Sequence, residues 1–180
     1  MRYADDVAEI FIPNLERKRA LLVIDMQAGF LRSGTKWIIP NVQEVIKTGG
    51  YSLFVEAVFH ADKGSLWDRQ VGWTFPFEPT VSAIKEVLPP GTTVITKSTK
   101  SAFKGDRDLL TLLRGAGIEE VHIVGLDAND CVFATAQEAF DLGFYTYVIE
   151  ECVESSEGKK YREYALEILR ELKMTNHSVL

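Results

Sequence analysis

The chain has 180 residues, 46% of them hydrophobic and 26% charged, which is typical of a globular domain with a sizeable core. Its formal net charge of −6 and the lack of a Lys/Arg cluster argue against nucleic-acid binding. No apolar run is long enough to cross a bilayer, and residues 1–20 lack a signal-peptide core, so we expect a cytoplasmic protein with no membrane partner. In that compartment Cys131 and Cys152 are expected to be free thiols.

Short apolar runs alternate with segments of helical spacing. Runs rich in β-branched and aromatic residues predict strands at 20–25, 51–59, 92–97, 121–126 and 144–150. Helical spacing predicts helices within 41–50, 78–91, 106–117, 129–143 and 157–172, followed by a short sixth strand in 176–180.

This alternation predicts one α/β domain over residues 1–180. The expected architecture is a three-layer α/β/α Rossmann-like fold around a central, mainly parallel sheet of five to six strands. Residues 1–17 match no element of the pattern. We expect them to form an N-terminal extension, packed as a helix on the domain or on a neighbouring subunit.

Three chemically useful side chains fall at the carboxyl ends of predicted strands. Asp25 ends the first strand, Lys97 ends the third, and Cys131 follows the loop after the fourth, where a helix begins. Ligand sites of parallel α/β sheets lie beyond these ends, so the three side chains are expected to meet at one edge. Each also fits a purely structural role, as a loop anchor, an exposed lysine or a small core residue.

A carboxylate, an ammonium and a thiol suffice for nucleophilic catalysis. The carboxylate of Asp25 would remove the thiol proton, and sulfur would attack a carbonyl carbon. The charge of Lys97 and the partial positive charge of a helix N-terminus would favour the thiolate form of Cys131.

Three stretches carry a family resemblance, and they occur in that family's order. They are "ALLVIDMQAGF" (20–30), "VITKSTKSAF" (94–103) and "GLDANDCVFATAQEAFDLGF" (125–144). Through them the chain resembles the isochorismatase-like cysteine hydrolases, which include nicotinamidases, N-carbamoylsarcosine amidases and ureidoacrylate amidohydrolases. The resemblance covers residues 18–153.

The resemblance implies a catalytic triad of Asp25, Lys97 and Cys131. It also implies a cis peptide bond between Leu126 and Asp127, which turns the backbone N–H groups of Asp127 and Cys131 inward as an oxyanion hole. The implied activity is cleavage of a C–N bond in a small amide or N-carbamoyl compound through a thioester acyl-enzyme. No cofactor is required, and relatives of this kind are oligomers, so a homodimer or homotetramer is expected.

The chain departs from the family's metal-binding members after the second strand. His60 matches the histidine of their Asp-x-His pair, but Val58 stands where the aspartate would be. One imidazole with Asp62 nearby is a poor ligand set, so no metal is expected. His60 is therefore a candidate for lining the substrate pocket, with a plain loop position as the alternative.

Further pocket candidates are Phe30, Trp73, Lys100 and Phe103. Lys100 is placed to bind a substrate carboxylate at the pocket mouth, or else to be a simple exposed lysine. Aromatic residues in 65–79, including Trp73, are expected to wall the pocket, to form a subunit contact or to fold onto the loop's own core.

The loop before Cys131 is unusually acidic. Asp127 and Asp130 would oppose thiolate formation unless they point away from the sulfur or find partners. Two alternatives to the leading function therefore stay open: a nicotinamidase with a degenerate metal site, and a catalytically silent small-molecule-binding homologue. A thiol redox protein is a third, although no CxxC motif supports it.

Overall fold

A computed structural model describes residues 17–176. Six strands form one sheet: β1 (Arg19–Ile24), β2 (Leu53–Phe59), β3 (Thr93–Lys97), β4 (Glu120–Gly125), β5 (Tyr145–Val153) and β6 (Thr175–Asn176). The strand order is β3-β2-β1-β4-β5-β6, and every neighbouring pair is parallel. The predicted N-terminal extension, apart from Arg17, and residues 177–180 of the predicted sixth strand lie outside the described residues.

Helices cover both faces of the sheet. They are α1 (Ile39–Thr48), α2 (Ser82–Lys85), α3 (Leu109–Gly115), α4 (Phe133–Asp141) and α5 (Lys159–Glu171). One hydrophobic cluster packs α1 and α2 against one face, and a second packs α3, α4 and α5 against the other. The predicted three-layer α/β/α architecture is thus confirmed, and the sheet is parallel throughout its six strands.

Strand β1 shows why the strands of this chain are continuously apolar. Leu22 and Ile24 belong to the cluster under α3, α4 and α5, whereas Leu21 and Val23 belong to the cluster under α1 and α2. All four are at most 1% exposed, because both faces of a central parallel strand are covered by helices.

Helix α2 is much shorter than the helical spacing of 78–91 predicts. Only Ser82–Lys85 is α-helical, and the chain then closes through turn hydrogen bonds from Val87 and Leu88 to the Ile84 carbonyl. Pro89 follows at once and disfavours a helical conformation at the residue before it, so the helix cannot continue. None of the helices within residues 17–176 is both long and apolar enough for a membrane span.

Gly125 lets the ends of β1 and β4 approach each other closely. Its φ is 117°, a conformation that favours glycine, and a Cβ atom there would overlap the Ile24 carbonyl oxygen and lie 2.9 Å from the Ile24 carbonyl carbon. The Leu126 N–H donates to that same Ile24 oxygen at 2.9 Å. As a result, Asp25 and the loop that leads to Cys131 leave the sheet side by side.

Candidate active site

Asp25 and Lys97 form a buried ion pair beyond the carboxyl ends of β1 and β3. The Lys97 Nζ lies 2.7 Å from Asp25 Oδ2 and also donates to the Thr99 carbonyl at 3.2 Å. Both residues are at most 1% exposed. Asp25 has a φ of 49°, a left-handed conformation that is unusual for a residue other than glycine and is concentrated at functional sites. Its second oxygen, Oδ1, receives no N–H or O–H donor among the described residues.

Cys131 sits in a π-helical turn, Ala128–Val132, that leads directly into α4. The turn is anchored by Thr135, whose hydroxyl donates to the Cys131 carbonyl at 2.7 Å and accepts from the Ala102 N–H at 3.1 Å. The peptide bond between Leu126 and Asp127 is cis. The sulfur is buried and interacts with both Asp25 and Lys97, so the three side chains converge.

The environment of Cys131 favours the protonated thiol. Burial raises its pKa well above the ordinary value, the negative charge of Asp25 adds to the shift, and the positive charge of Lys97 opposes it only in part. Burial alone would lower the pKa of Lys97, but its interactions with Asp25 and Cys131, the charge of Asp25 above all, outweigh burial, so the net shift is upward. Burial also raises the pKa of Asp25, and the positive charge of Lys97 opposes that shift. These directions favour a neutral thiol beside the Asp25–Lys97 pair over the thiolate that the sequence leads us to expect.

Both acidic residues of the loop before Cys131 have partners. Asp127 accepts hydrogen bonds from the Ser156 N–H at 2.7 Å and the Ser156 hydroxyl at 2.6 Å. Burial raises the pKa of Asp127 to about 6, although these hydrogen bonds oppose the shift. Asp130 forms an ion pair with Lys100, whose Nζ lies 2.5 Å from Asp130 Oδ1.

Two hydrogen bonds of the same loop end on the Asp127 carbonyl. The Asp127 carbonyl accepts from the N–H groups of Asp130 and Val132, at 3.0 and 3.1 Å, but not from that of Cys131 between them. Within residues 17–176, the Asp127 N–H donates to no backbone or side-chain acceptor. These two N–H groups belong to the positions that sequence analysis assigns to an oxyanion hole.

Aromatic side chains enclose the space beside Cys131. A narrow cavity of about 20 Å³, room for roughly one water molecule, is left there. Its lining consists of Phe30, Phe59, Trp67, Trp73, Asp127, Asp130 and Cys131. The rings contact one another closely: Phe59 stacks on Trp73 with centroids 5.5 Å apart.

Gln27 anchors the aromatic wall of the cavity, which consists of Phe30, Phe59, Trp67 and Trp73. Its side-chain amide accepts from the Phe59 N–H at 2.8 Å and donates to the carbonyls of Phe59 and Glu78 at 2.9 and 2.8 Å. These bonds join the loop after β1 to the end of β2 and to the end of the loop that carries Trp67 and Trp73. A single buried glutamine thereby holds the two ends of the aromatic wall in place.

Only some of the predicted pocket residues line the cavity. Phe30 and Trp73 line the cavity. Lys100 does not, but its ammonium contacts two residues that do, Asp130 and Trp67. His60 is not part of the lining; its Nδ1 lies 3.6 Å from Asp62 and its ring is near Phe77.

Phe103 differs most from its predicted role as a pocket residue. It lies in a 3-10 turn, Ala102–Lys104, capped by the Ser101 hydroxyl, and its side chain packs against the hydrophobic cluster under α3, α4 and α5. Trp67 lines the cavity as one of the aromatic residues of 65–79 that were candidates for its wall, whereas Phe59 lines it without having been a candidate. The position of Phe59 at the end of a parallel strand is the same signal that identified Asp25 and Lys97.

The residues after β2 do not fit a metal ion. Val58 is buried in the strand, and His60 with Asp62 supplies only two ligands, fewer than a zinc site requires. Across the described part of the chain, no group of three or more His, Cys, Asp or Glu side chains is arranged to hold one.

Comparisons with known proteins agree with this architecture. The family model described as "Isochorismatase domain" matches residues 19–178. The uncharacterized isochorismatase family protein YwoC of Bacillus subtilis is 30% identical over 156 residues, 76% of this chain and 78% of that protein. Maleamate amidohydrolase of Pseudomonas putida is 28% identical over 155 residues, 76% of this chain and 72% of that enzyme.

A solved structure is similarly close. The pyrazinamidase of Pyrococcus horikoshii, determined in complex with zinc, superposes with a TM-score of 0.71 at 28% identity. The match covers 91% of this chain and 99% of that one. The family model spans most of the chain and the fold agrees. The chain therefore belongs to the isochorismatase family.

Proposed function

We propose that this protein is a cysteine hydrolase that cleaves a C–N bond of a small amide or N-carbamoyl compound through a thioester intermediate. The observation that carries the proposal is the convergence of Asp25, Lys97 and Cys131, drawn from three separate strands, on one buried point. A thiol, a base and a fixed cation at one point are the parts that nucleophilic acyl transfer needs.

Attack begins with transfer of the Cys131 thiol proton to Asp25. The free Oδ1 of Asp25 is the oxygen available for it, because Oδ2 is occupied by the Lys97 ammonium. As the S–H bond breaks, sulfur forms a bond to the carbonyl carbon, and the carbonyl π electrons move onto oxygen. The raised pKa of the Cys131 thiol is consistent with proton transfer during attack rather than before it.

The oxygen that becomes negative in this step needs hydrogen-bond donors. We assign this role to the backbone N–H groups of Asp127 and Cys131. The Asp127 N–H donates to no acceptor among the described residues, and the Cys131 N–H does not donate to the Asp127 carbonyl. Asp25 then returns its proton to the leaving nitrogen as the C–N bond breaks. Ammonia or an amine departs, and the acyl group remains on sulfur as a thioester.

Hydrolysis of the thioester repeats the sequence with water. Asp25 accepts a proton from water as its oxygen adds to the acyl carbon, and the C–S bond then breaks. The sulfur regains a proton from Asp25, and the acid product leaves. Lys97 keeps its proton throughout; it orients the Asp25 carboxylate and stabilises the negative charge that passes over sulfur.

The relatives support the class of reaction. Maleamate amidohydrolase and pyrazinamidase are both named for amide substrates, and both align with most of this chain. The aromatic rings beside Cys131 offer flat apolar surfaces that suit a planar acyl group.

Ammonia release from a panel of small amides and ureido acids tests the proposal. The panel includes maleamate, nicotinamide and pyrazinamide, with and without a chelator. The wild type is compared with Cys131→Ser and Lys97→Ala, which are expected to lose nearly all activity.

Cys152→Ser is the matched control, because Cys152 is buried in the other hydrophobic cluster, away from the cavity. It is expected to retain wild-type turnover. Activity that survives in both Cys131→Ser and Lys97→Ala would refute the assignment of the three residues. Activity that disappears with the chelator would refute a metal-independent reaction.

A further inference from the structure

Around the Cys131 sulfur, the carboxylate side chains outnumber the ammonium groups. Asp25 is paired with Lys97, and Asp130 is paired with Lys100. Asp127 also lines the cavity, but the described residues provide it with no ammonium or guanidinium partner, only the two hydrogen bonds from Ser156. Three carboxylates thus face two ammonium groups, which leaves the surroundings of the cavity negative.

The aromatic wall already holds positive charge. The Lys97 Nζ lies 5.0 Å from the centroid of the Phe59 ring, and the Lys100 Nζ lies 5.6 Å from the Trp67 ring. Both separations fall within the range of a cation–π interaction. The faces of this wall are thus suited to a cation, and their attraction is strengthened where water is excluded.

Lys100 is already paired with a carboxylate of this chain. Its ammonium contacts Asp130 at 2.5 Å while it lies against the Trp67 ring, so its charge is already neutralised at the edge of the cavity. An anionic group brought to this point would compete with Asp130 for Lys100 and would approach Asp127 as well. Recognition of a substrate carboxylate by Lys100 stays a prediction, and it would require that carboxylate to displace Asp130.

We infer that the cavity beside Cys131 selects amides that carry a positive charge close to the carbonyl group. In this arrangement Asp130 and Asp127 attract the positive charge of the substrate. The Lys100 ammonium competes with the substrate for Asp130 and so weakens that attraction. The inference rests on the proposed function, because it names the substrate class of the same site.

Three small amides differ in the charge that they carry next to the carbonyl group, and two of them, glycinamide and propionamide, have the same size. Glycinamide is cationic at neutral pH, since its amino group titrates near the ordinary α-amino pKa of about 8. Propionamide is its neutral counterpart, and malonamate carries a carboxylate at the corresponding position. Turnover is measured on the wild type, and binding is measured by calorimetry on Cys131→Ala, which cannot form the thioester.

We expect glycinamide to exceed propionamide in both kcat/KM and affinity by about fivefold to tenfold, with malonamate weakest. The preference is expected to shrink as salt is added, because screening weakens an attraction between charges. Asp130→Asn is expected to reduce the preference for glycinamide. Lys100→Gln is expected to increase it, since removal of the ammonium leaves the cavity more negative.

Lys104→Gln is the matched control for Lys100→Gln. Lys104 is a similarly exposed lysine on the next turn, and it is also paired with a carboxylate, Glu138, at 2.8 Å. Because Lys104 does not line or border the cavity, its removal should leave the ranking of the three amides unchanged.

The outcomes separate this inference from the proposed function. Equal use of the three amides, or a preference for malonamate that Lys100→Gln abolishes, would overturn the inference and leave hydrolysis intact. Charge-ranked binding to Cys131→Ala, with no turnover of any amide by the wild type, would support the inference and refute the proposed hydrolase.

Discussion

Gly125 offers a direct test of how closely β1 and β4 must approach for the site to form. Gly125→Ala introduces a Cβ atom that overlaps the backbone of Ile24. Gly158→Ala is its matched control, because Gly158 has nearly the same φ, 115° against 117°, but a Cβ atom there would meet no atom within 4 Å. Both substitutions place alanine at a strongly positive φ, and only Gly125→Ala adds a steric overlap.

The expected magnitudes follow from these two contributions. Backbone strain costs each variant about 1–3 kcal/mol of the free energy of unfolding. In Gly125→Ala, β1 and β4 must also separate, which weakens the Leu126 N–H bond to the Ile24 carbonyl and disturbs the packing around it. A buried hydrogen-bond group left unpaired costs about 1–3 kcal/mol, so the total for Gly125→Ala is about 2–6 kcal/mol.

Urea unfolding of the two variants beside the wild type measures this difference. Gly125→Ala should unfold at a much lower urea concentration than Gly158→Ala, and it should lose amide turnover even where it remains folded. Equal unfolding midpoints for the two variants would show that the close approach of β1 and β4 contributes nothing, and would refute the reasoning.

Three further predictions concern the buried charges. Lys97→Met leaves the Asp25 carboxylate buried without a cation and should lower the free energy of unfolding by about 3–5 kcal/mol. Adding Asp25→Asn should restore part of that stability but no activity, and additive effects of the two substitutions on the free energy of unfolding would contradict this coupling. Iodoacetamide should label native Cys131 more slowly than free cysteine at neutral pH, with a rate that rises only above the ordinary thiol value of 9.0, and fast labelling at neutral pH would show a stable thiolate instead. Burial favours the neutral form of Glu120, but interactions with His122, Arg17 and Arg19 together outweigh burial and lower the pKa of Glu120 from 4.5. The stabilising effect of the Glu120 carboxylate is therefore lost as pH falls through that lowered value, and the urea midpoint should fall more steeply on acidification in the wild type than in Glu120→Gln.

The convergence of Asp25, Lys97 and Cys131 is foreseeable from the sequence because it follows from topology. Apolar strands that alternate with helices form a parallel sheet, and residues that follow their carboxyl ends meet at one edge. The rule needs only the position of each residue relative to its strand. It applied equally well to Phe59, which was not singled out because phenylalanine is also an ordinary residue of a buried strand.

Pairings between loops depend on geometry that no local pattern contains. Lys100 and Asp130 are thirty residues apart, and nothing in their neighbourhoods indicates that they share an ion pair. The direction of Phe103 depends on a 3-10 turn set by the Ser101 cap. The protonation state of Cys131 also escapes sequence analysis, because burial and the charge of Asp25 together outweigh the effect of Lys97.

The order of the strands sets the required length of the cationic side chain. Lys97 lies on β3, at the edge of the sheet, and Asp25 follows β1, with β2 between them. Two interstrand spacings amount to about 9.6 Å, which an extended lysine and an aspartate together bridge. The lysine crosses above Phe59, which ends the intervening strand with a flat ring beneath the ammonium. A cation with a shorter arm would fall short of Asp25, so in this strand order the reach of the side chain is as much a requirement as its charge.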